Sequence, residues 1–264
     1  MPLKVSEWHN RFDLQAGWTE GIRQHLFSRA GLGDADLVLD VGCGTGVLMG
    51  EISQEARTRQ IGIDINLQYL QFAKSHLPGT DFTAANALHL PFESGTFACS
   101  FCHFVLMWIT EPIDMIHQMK RVTKPGGAVI ALAEPDYGGR IDYPPELEAI
   151  NQWQTMGLRH LGADPHFGRK LKGLLHAAGL HEVETGVIGS QWRKPPSPAE
   201  IESEWAVIQN DLSILINKNS EVFDNSEALK EMDLQAWARG QRVLFVPTFY
   251  GIGWVPAQHS SMSV

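Results

Sequence analysis

The stretch "VLDVGCGTG", residues 38–46, decides how this sequence is interpreted. Apolar residues around Asp40 predict a buried strand, and Gly42, Gly44 and Gly46 follow at alternate positions before a predicted helix. A strand that runs through glycines into a helix presents free backbone N–H groups at the helix N-terminus, and the missing Cβ atoms let a ligand approach closely. The stretch therefore predicts a binding site for a ligand with an anionic group.

Two known glycine-rich patterns can be compared with this stretch. The dinucleotide fingerprint GxGxxG requires a third glycine where this chain has Val47, and a P-loop requires a Lys-Ser/Thr pair that does not follow here. Asp64 lies near the end of the next predicted strand, "QIGIDI" at residues 60–65. An acidic side chain there can accept hydrogen bonds from both hydroxyls of a ribose, as in NAD sites and other adenosyl sites. A charge at a helix N-terminus is the structural alternative for Asp64.

The composition is that of an ordinary globular protein with an acidic balance. The chain has 264 residues, of which 44% are hydrophobic and 19% charged, and its net charge is −9. Because nucleic acid and anionic membranes repel an acidic protein at long range, we expect neither as a partner. The N-terminal residues hold no apolar run of signal-peptide length, and no segment approaches the ~18 apolar residues of a membrane span. With only three cysteines, a cytoplasmic setting is expected.

Cys99 and Cys102 form a CxxC within the apolar run "FACSFCHFVL". This run predicts a buried strand, and residues three apart on a strand point to opposite faces. The two thiols therefore cannot share a metal ion, and no second pair completes a zinc site. We expect two small buried residues and no metal.

Short apolar runs alternate with amphipathic ones from residue 37 to residue 134. This pattern predicts an α/β fold with a parallel sheet covered by helices on both faces. One of the predicted helices follows Asn66 as its N-cap and places Leu67, Leu70 and Ala73 on one face. After Glu134 the pattern changes, with helical segments at about 141–161 and 198–240 before a return to strand character.

Four segments together resemble the class I S-adenosylmethionine-dependent methyltransferases, in particular the small-molecule "type 11" group related to quinone methyltransferases. They are "VLDVGCGTG", "GIDI", "NALHLPFESGTFACSFCHFVLMWI" and "MKRVTKPGGAVIALAEPDY", in the order and spacing of that family. The resemblance implies a doubly wound, Rossmann-like, seven-stranded and mostly parallel sheet. It also implies S-adenosyl-L-methionine as cofactor, methyl transfer to a small-molecule acceptor, and one domain. That domain comprises an N-terminal helical flap (1–36), a cofactor-binding core (37–137) and a substrate-side half with helical insertions (138–264).

The resemblance also assigns roles to individual residues. The methionine end of the cofactor would be lined by Asp40, Gly42, Cys43, Gly44 and Gly46. Asp64 would hold the ribose and Ile65 would flank the adenine, with Asn86 and Ala87 beside it; the family usually has Asp at position 86. From the flap, the candidates for contacting the cofactor are Arg11, Gln15, Trp18 and Thr19, and the alternative is an amphipathic helix packed on the sheet.

The residues next to the methyl donor follow from the same resemblance. His103 ends the fourth strand, and its ordinary pKa near 6.5 suits a general base; a pocket-lining histidine without a proton role is the alternative. Candidates for contacting the acceptor are Glu134, Asp136, Tyr137 and Arg140, with turn and capping roles as alternatives for the first three and a solvated surface for Arg140. Further candidates are Trp153, Trp192, Trp205, Trp237, Trp254, Arg159, Arg169 and Arg193, with core packing or a solvated surface as alternatives.

Two other functions stay open at this point. An NAD-type oxidoreductase is disfavoured by the missing third glycine, and a non-catalytic protein that binds the cofactor would keep the same motifs. The fourth strand leads into "CHFVLMW" and lacks the Asn/Asp-Pro-Pro-aromatic motif used on planar nitrogens of nucleic acids and some proteins. This again favours a small-molecule acceptor.

Overall fold

A computed structural model describes residues 3–55, 58–189, 195–213 and 220–257. The strands are β1 Leu37–Val41, β2 Arg59–Asp64, β3 Asp81–Ala84, β4 Phe97–Cys102, β5 Thr123–Pro135, β6 Ile141–Tyr143, β7 His181–Ile188, β8 Val243–Phe245 and β9 Thr248–Trp254. The α-helices are α1 Val5–Arg29, α2 Val47–Glu55, α3 Leu67–His76, α4 Pro112–Val122, α5 Glu148–His160, α6 Leu171–Ala177, α7 Pro198–Asp211 and α8 Ser220–Ala238. Short 3₁₀ turns follow β4 and β5.

Seven strands form one sheet in the order β3-β2-β1-β4-β5-β9-β7. The five strands from β3 to β5 are parallel, and β9 runs antiparallel to both of its neighbours. The predicted seven-stranded, mostly parallel, doubly wound sheet is therefore confirmed. Because β1, β2, β4 and β5 point the same way, the glycine-rich stretch, Asp64, His103 and Glu134 gather at one edge of the sheet.

The two faces of the sheet bury separate apolar clusters. One cluster packs β4 and β5 against α4 and α6, and it contains Cys102. The other packs the same strands against α1 and α2, and it contains Cys99. The two thiols are therefore free, buried and on opposite faces, as their spacing predicts.

A third apolar cluster lies outside the sheet, between α5, α7 and α8. Trp205 is its largest fully buried side chain, and Trp153 and Trp237 pack against it. These tryptophans thus form the core of a helical unit, which is the core-packing alternative. Trp254 packs in the cluster beneath α1, where the Arg29 guanidinium lies over its ring.

Of the two predictions for the beginning of α3, the N-cap is confirmed and the burial of its first residue is wrong. The Asn66 side chain accepts hydrogen bonds from the backbone N–H groups of Gln68 and Tyr69, so the predicted N-cap is confirmed. Leu70 and Ala73 are buried, but Leu67 is 61% exposed, which corrects its predicted place on the buried face. Leu67 belongs to the first turn of α3, beyond the end of β2, where the sheet no longer lies beneath the helix.

Among the helices of the described ranges, none is both long and apolar enough to cross a membrane.

Candidate functional site

The loop between β1 and α2, residues 42–46, has a conformation that requires glycine. Gly42, Gly44 and Gly46 all have positive φ angles, of 79°, 55° and 81°. A Cβ atom on Gly42 would lie 2.6 Å from Cγ2 of Val105, and one on Gly44 would lie 3.2 Å from the Phe12 ring. The alternating glycines therefore allow both the backbone path and the close packing of the neighbouring chain.

Asp64 connects this glycine-rich loop to the end of β2. Its Oδ2 accepts a hydrogen bond from Gly44 N at 2.9 Å, and its Oδ1 accepts one from Asn66 N at 2.8 Å. Burial raises the pKa of Asp64, while these backbone N–H groups oppose the shift. Each carboxylate oxygen keeps a second lone pair, which is what binding two ribose hydroxyls requires.

Two further residues of the loop region lie deeper. Asp40 is buried, and burial together with the nearby Asp64 raises its pKa to about 8. The Cys43 side chain packs with Met49 and Phe82, and burial raises the pKa of its thiol well above the usual value. Cys43 N donates to the Ile63 carbonyl, as does Gly42 N. Cys43 therefore faces the core, and its side chain is turned away from the loop's open side.

Beyond Asp64, a strip of exposed residues lies where the resemblance places the adenine. Ile65 is 76% exposed, which is unusual for a large apolar side chain beside a buried strand. Asn86 is exposed and its Oδ1 accepts from Leu88 N at 2.9 Å, while Ala87 is partly buried. An exposed isoleucine after β2 and an exposed amide group after the neighbouring β3 are a suitable surface for a flat heterocycle with ring-nitrogen acceptors.

The N-terminal part of α1 covers the glycine-rich loop; we call residues 5–20 the lid. His9 Nδ1 lies 2.9 Å from the Thr45 hydroxyl oxygen, and Phe12 packs on Gly44. The rings of His9 and Phe12 also contact Phe72 and Tyr69 of α3. The helix therefore lies across the loop, as the resemblance implies for the flap.

Further along α1, the predicted contact residues fall into two groups. Trp18 is half exposed, and the guanidinium carbon of Arg11 lies 4.8 Å from the centre of its ring. Gln15 is partly buried. Thr19 is buried, and its hydroxyl oxygen lies 3.0 Å from Nε2 of His103. The lid thus contacts both the glycine-rich loop and the end of β4.

His103 has a neighbour that its sequence does not indicate. Arg23 Nη1 donates to the Thr19 hydroxyl oxygen and to the Ala16 carbonyl, at 2.7 Å in each case. Burial, and secondly the positive charge of Arg23, lower the pKa of His103 to about 3. The imidazole is therefore neutral at physiological pH.

The acidic residues at the end of β5 have structural partners. Glu134 is fully buried: its Oε1 accepts from Val105 N and Leu106 N at 3.0 and 2.9 Å, and its Oε2 accepts from Met107 N at 3.2 Å. Burial raises the pKa of Glu134 to about 7 against these bonds. Asp136 accepts from Gly138 N and pairs with Arg169. Both residues therefore have the capping role given above as their alternative.

Tyr137 and Arg140 border a buried charged network beside α5 and α7. Arg140 donates to both oxygens of Asp142, at 2.6 and 3.1 Å, and to Gln154 Oε1 at 2.5 Å. Tyr137 is partly buried, and burial followed by the charges of Asp211 and Glu204 raises its pKa. All three guanidinium nitrogens of Arg140 are thus hydrogen-bonded within the protein, while Tyr137 faces several charges.

Arg11 lies with this network, apart from the glycine-rich loop. Its Nη1 is 2.7 Å from Glu204 Oε2 of α7, and only 6% of its side chain is exposed. The guanidinium groups of Arg11 and Arg140 hold the pKa of Glu204 below its usual value, against the effect of burial. The predicted cofactor contact of Arg11 is therefore placed on the side of the predicted acceptor residues.

The remaining candidates for contacting the acceptor are either exposed on α5 or lie outside the residues that the structure describes. Arg159 is exposed on α5. Trp192 and Arg193 lie outside the described residues. Conversely, the sequence does not single out several residues with buried polar contacts, because no motif surrounds them and their partners are distant in the chain. They are Arg23, Asp142, Glu204 and Arg242.

Comparisons with known proteins agree with this arrangement. Residues 39–131 match a family model described as a methyltransferase domain. A malonyl-[acyl-carrier protein] O-methyltransferase from Marinomonas sp. (strain MWYL1) is 32% identical over 123 residues, covering 45% of this chain and 46% of that protein. A demethylmenaquinone methyltransferase from Renibacterium salmoninarum is 32% identical over 127 residues, covering 47% and 53%. A tRNA U34 carboxymethyltransferase from Hydrogenovibrio crunogenus is 31% identical over 170 residues, covering 60% and 48%. This chain spans about half the length of these relatives.

Solved structures share the fold over most of the chain. The [4+2]-cyclase SpnF has a TM-score of 0.59 at 18% identity, covering 89% of this chain and 81% of its own. Phosphoethanolamine N-methyltransferase 2 from Haemonchus contortus, in complex with S-adenosyl-L-methionine, has a TM-score of 0.55 at 15% identity, covering 84% and 49%. A cyclase and a methyltransferase among these structures illustrate that the fold alone does not fix the reaction.

Proposed function

We propose that this chain is a class I S-adenosyl-L-methionine-dependent methyltransferase, related to the quinone methyltransferases, that transfers a methyl group to a small-molecule acceptor. When bound, S-adenosyl-L-methionine supplies a methyl group already activated on a sulfonium. The protein then has to align the acceptor with that methyl group and exclude water. Its own residues therefore bind the cofactor, orient the acceptor and enclose both.

The observation that carries the small-molecule part of this proposal is the closure of the lid. One helix reaches the glycine-rich loop through His9, His103 through Thr19, and α7 through Arg11. We infer that an acceptor has to fit beneath this helix, which favours a small molecule.

We assign the cofactor-side residues as follows. The backbone of Gly42, Cys43, Gly44 and Gly46 would hold the methionine end, with Asp40 beneath it; Asp64 would bind the ribose; Ile65, Asn86 and Ala87 would bind the adenine; Gln15 and Trp18 would contact the cofactor from the lid. His103 would contact the acceptor beside the methyl group, and Tyr137 and Arg140 would border the acceptor on the far side. The Asp64 contacts with the glycine-rich loop support this assignment, because they position both binding segments together.

The first experiment is calorimetry of the protein with S-adenosyl-L-methionine, S-adenosylhomocysteine and NADH. Micromolar binding of the first two and none of NADH is expected. NADH binding without either adenosyl compound would favour an oxidoreductase instead. A screen for S-adenosylhomocysteine release should follow, with quinols, carboxylic acids, amines and bulk tRNA as acceptors. Turnover with tRNA alone would contradict the proposed acceptor class.

The role of His103 can be separated from cofactor binding. His103→Ala should lower turnover strongly while leaving the affinity for S-adenosylhomocysteine within about twofold, because the imidazole lies at the end of β4 and away from Asp64. Unchanged turnover would remove His103 from the mechanism. Cofactor binding without turnover on any acceptor class would favour a non-catalytic binding protein. The buried free thiols are compatible with the reducing cytoplasmic setting that we propose.

A further inference from the structure

The Thr19 hydroxyl group is shared among more partners than it has hydrogens. Its oxygen lies 2.7 Å from Arg23 Nη1, 3.0 Å from His103 Nε2, 3.1 Å from the Ala16 carbonyl oxygen and 3.5 Å from the Gln15 carbonyl oxygen. A threonine hydroxyl has one hydrogen to donate and two lone pairs that accept. Since Arg23 can only donate, it occupies one of the lone pairs. The hydroxyl hydrogen must go to a carbonyl or to His103.

The carbonyl oxygens are poor acceptors for this hydrogen. Ala16 O lies inside α1, where the helix directs the N–H group of residue 20 to it, and Arg23 Nη1 donates to it as well at 2.7 Å. Both of its lone pairs are therefore used. Gln15 O is at the distance limit of a hydrogen bond. His103 Nε2 at 3.0 Å is the remaining acceptor, and as an acceptor it carries no hydrogen.

The charges around the ring oppose protonation. Charged groups come to this region from three elements: Arg23 from α1, Glu51 from α2 and Glu134 from β5. Glu51 pairs with Arg23, on the side away from Thr19, and Glu134 accepts from the backbone of residues 105–107. An imidazolium here would face a guanidinium, with no carboxylate of the described ranges bonded to the ring. Burial, and secondly the positive charge of Arg23, lower the pKa of His103.

We propose that Thr19 and Arg23 are positioning residues that hold His103 neutral with its hydrogen on Nδ1, so that His103 donates a hydrogen bond to the methyl acceptor and does not take its proton. The part about the acceptor rests on the proposed function. Arg23 fills a lone pair of Thr19, Thr19 donates to Nε2, and Nδ1–H has no partner within the described ranges. Glu51 of α2, the helix that follows the glycine-rich loop, holds Arg23 in place.

This arrangement selects a class of acceptor. A hydrogen-bond donor beside the reacting atom stabilises an anion, whereas a base would be needed for a neutral alcohol. The acceptor is therefore a group that is ionised at neutral pH, such as a carboxylate, an acidic enolate or a thiolate. Its electron pair forms the bond to the methyl carbon, the carbon–sulfur bond breaks, and that pair stays on sulfur. No proton is transferred, so the balance requires no further reactant.

The test is nitrogen NMR of the full chain with ¹⁵N-labelled histidine, in the presence of S-adenosylhomocysteine, from about pH 8 to about pH 5. His103→Asn identifies the resonances of this residue by their loss. Nδ1 is expected to show the shift of a protonated ring nitrogen and Nε2 that of an unprotonated one, with no titration in this range. A hydrogen on Nε2, or titration near the ordinary histidine pKa, would overturn the proposal.

Variants separate positioning from folding. Arg23→Met should raise the pKa of His103, because it removes the smaller of the two causes that lower it, and Arg23→Lys should leave that pKa low. Thr19→Val should remove the preference of the His103 ring hydrogen for Nδ1, and Thr19→Ser should retain it. A ring unaffected by either Arg23→Met or Thr19→Val would contradict the role of these residues. If Arg23→Met fails to fold, the wild-type spectrum and the variants Thr19→Val and Thr19→Ser still test the proposal.

A second measurement applies once an acceptor is found. His103→Asn keeps an N–H donor but no base, so it should retain at least tenfold more turnover than His103→Ala. Equal loss in both would indicate a base. If S-adenosylhomocysteine does not bind at all, the proposed function fails while the nitrogen spectrum remains interpretable. The two failures are therefore distinguishable.

Discussion

Gly44 and Asp64 are twenty residues apart in the sequence, yet the N–H group of Gly44 donates to Oδ2 of Asp64 at 2.9 Å. Their strands are neighbours in the sheet, with Asp40 opposite Gly62. The bond fixes the loop that follows β1 relative to the end of β2. One carboxylate therefore fixes the loop proposed to hold the methionine end of the cofactor, while it is itself the proposed ribose ligand.

This relationship predicts a large effect of Asp64 on cofactor affinity. Asp64→Ala should weaken S-adenosylhomocysteine binding by one to two orders of magnitude, because charge-assisted hydrogen bonds contribute about 1.5–3 kcal/mol each. Calorimetry measures this directly. Asp81→Ala, an exposed carboxylate at the start of β3, is the control and should change affinity less than twofold. Equal affinities of wild type and Asp64→Ala would remove Asp64 from the binding site.

The glycine conformations lead to a matched pair of variants. Gly42→Ala places a methyl group at positive φ and against Val105, and should lower the free energy of unfolding by about 2–4 kcal/mol. Gly33→Ala introduces the same methyl group where no atom lies within 4 Å and φ is not positive, and should change stability by less than about 1 kcal/mol. Denaturant unfolding distinguishes the two. Similar values would show that the Gly42 loop adapts.

Docking of the lid should depend on pH through His9. Burial lowers the pKa of His9, with Asp13 acting in the opposite direction and His76 in the same one. The neutral ring is therefore the docked form, and docking is complete above the ordinary histidine pKa near 6.5 and weakens as pH falls below it.

Hydrogen exchange of residues 5–20 measures this docking. After correction for intrinsic rates, protection should be lower at about pH 5.5 than at about pH 7.5. His9→Phe keeps a ring next to Phe72 and removes the titrating group, so its protection should be nearly independent of pH. A pH dependence that persists in this variant would assign the effect to another residue.

Two glycines within α1 predict where the lid gives way. Gly17 and Gly21 have no neighbouring atom within 4 Å of an added Cβ, and each lowers helix stability by about 1 kcal/mol relative to Ala. The double variant Gly17→Ala, Gly21→Ala should slow exchange of the lid amides and dissociation of S-adenosylhomocysteine. Gly173→Ala, an equally open position in α6, should affect neither. Faster exchange in the double variant would contradict a hinge at these positions.

The buried network predicts a strong dependence of stability on Asp142. This carboxylate accepts from Arg140 and, at 2.6 Å, from Arg242, and all three side chains are almost fully buried. Asp142→Asn removes the carboxylate that Arg140 and Arg242 share, leaving Arg242 only its pair with Asp233, and should cost about 3–5 kcal/mol of unfolding free energy. Asp36→Asn breaks an exposed, solvent-screened pair with Lys124 and should cause a far smaller loss. Equal losses in denaturant unfolding would refute the distinction.

The sheet and the elements around its binding edge could be predicted because they depend on local patterns. Alternating glycines, an acidic residue at a strand end and an Asn N-cap each determine their own surroundings, so Gly42, Asp64 and Asn66 were identified from a few neighbouring residues. The predicted burial of Leu67 is wrong because helical periodicity does not show where the sheet beneath a helix ends.

The surroundings of His103 and Arg11 could not be predicted in the same way. Arg23 reaches His103 through Thr19 across about eighty residues, and Arg11 meets Glu204 across nearly two hundred. Such contacts depend on how helices pack, which single-residue patterns do not encode. Glu134 illustrates the opposite case. Its position at a strand end makes it a candidate for contacting the acceptor, whereas in the structure its carboxylate accepts hydrogen bonds from three backbone N–H groups.

One helix serves both proposed halves of the site, since α1 packs on the glycine-rich loop and also joins α7 through Arg11. A movement of this helix would break both sets of contacts together. The spent cofactor and the methylated product would then leave during the same opening, and a new acceptor would meet the enzyme only in that interval. Turnover would accordingly be limited by a helix movement, and a pre-steady-state burst of product under excess acceptor would be its signature.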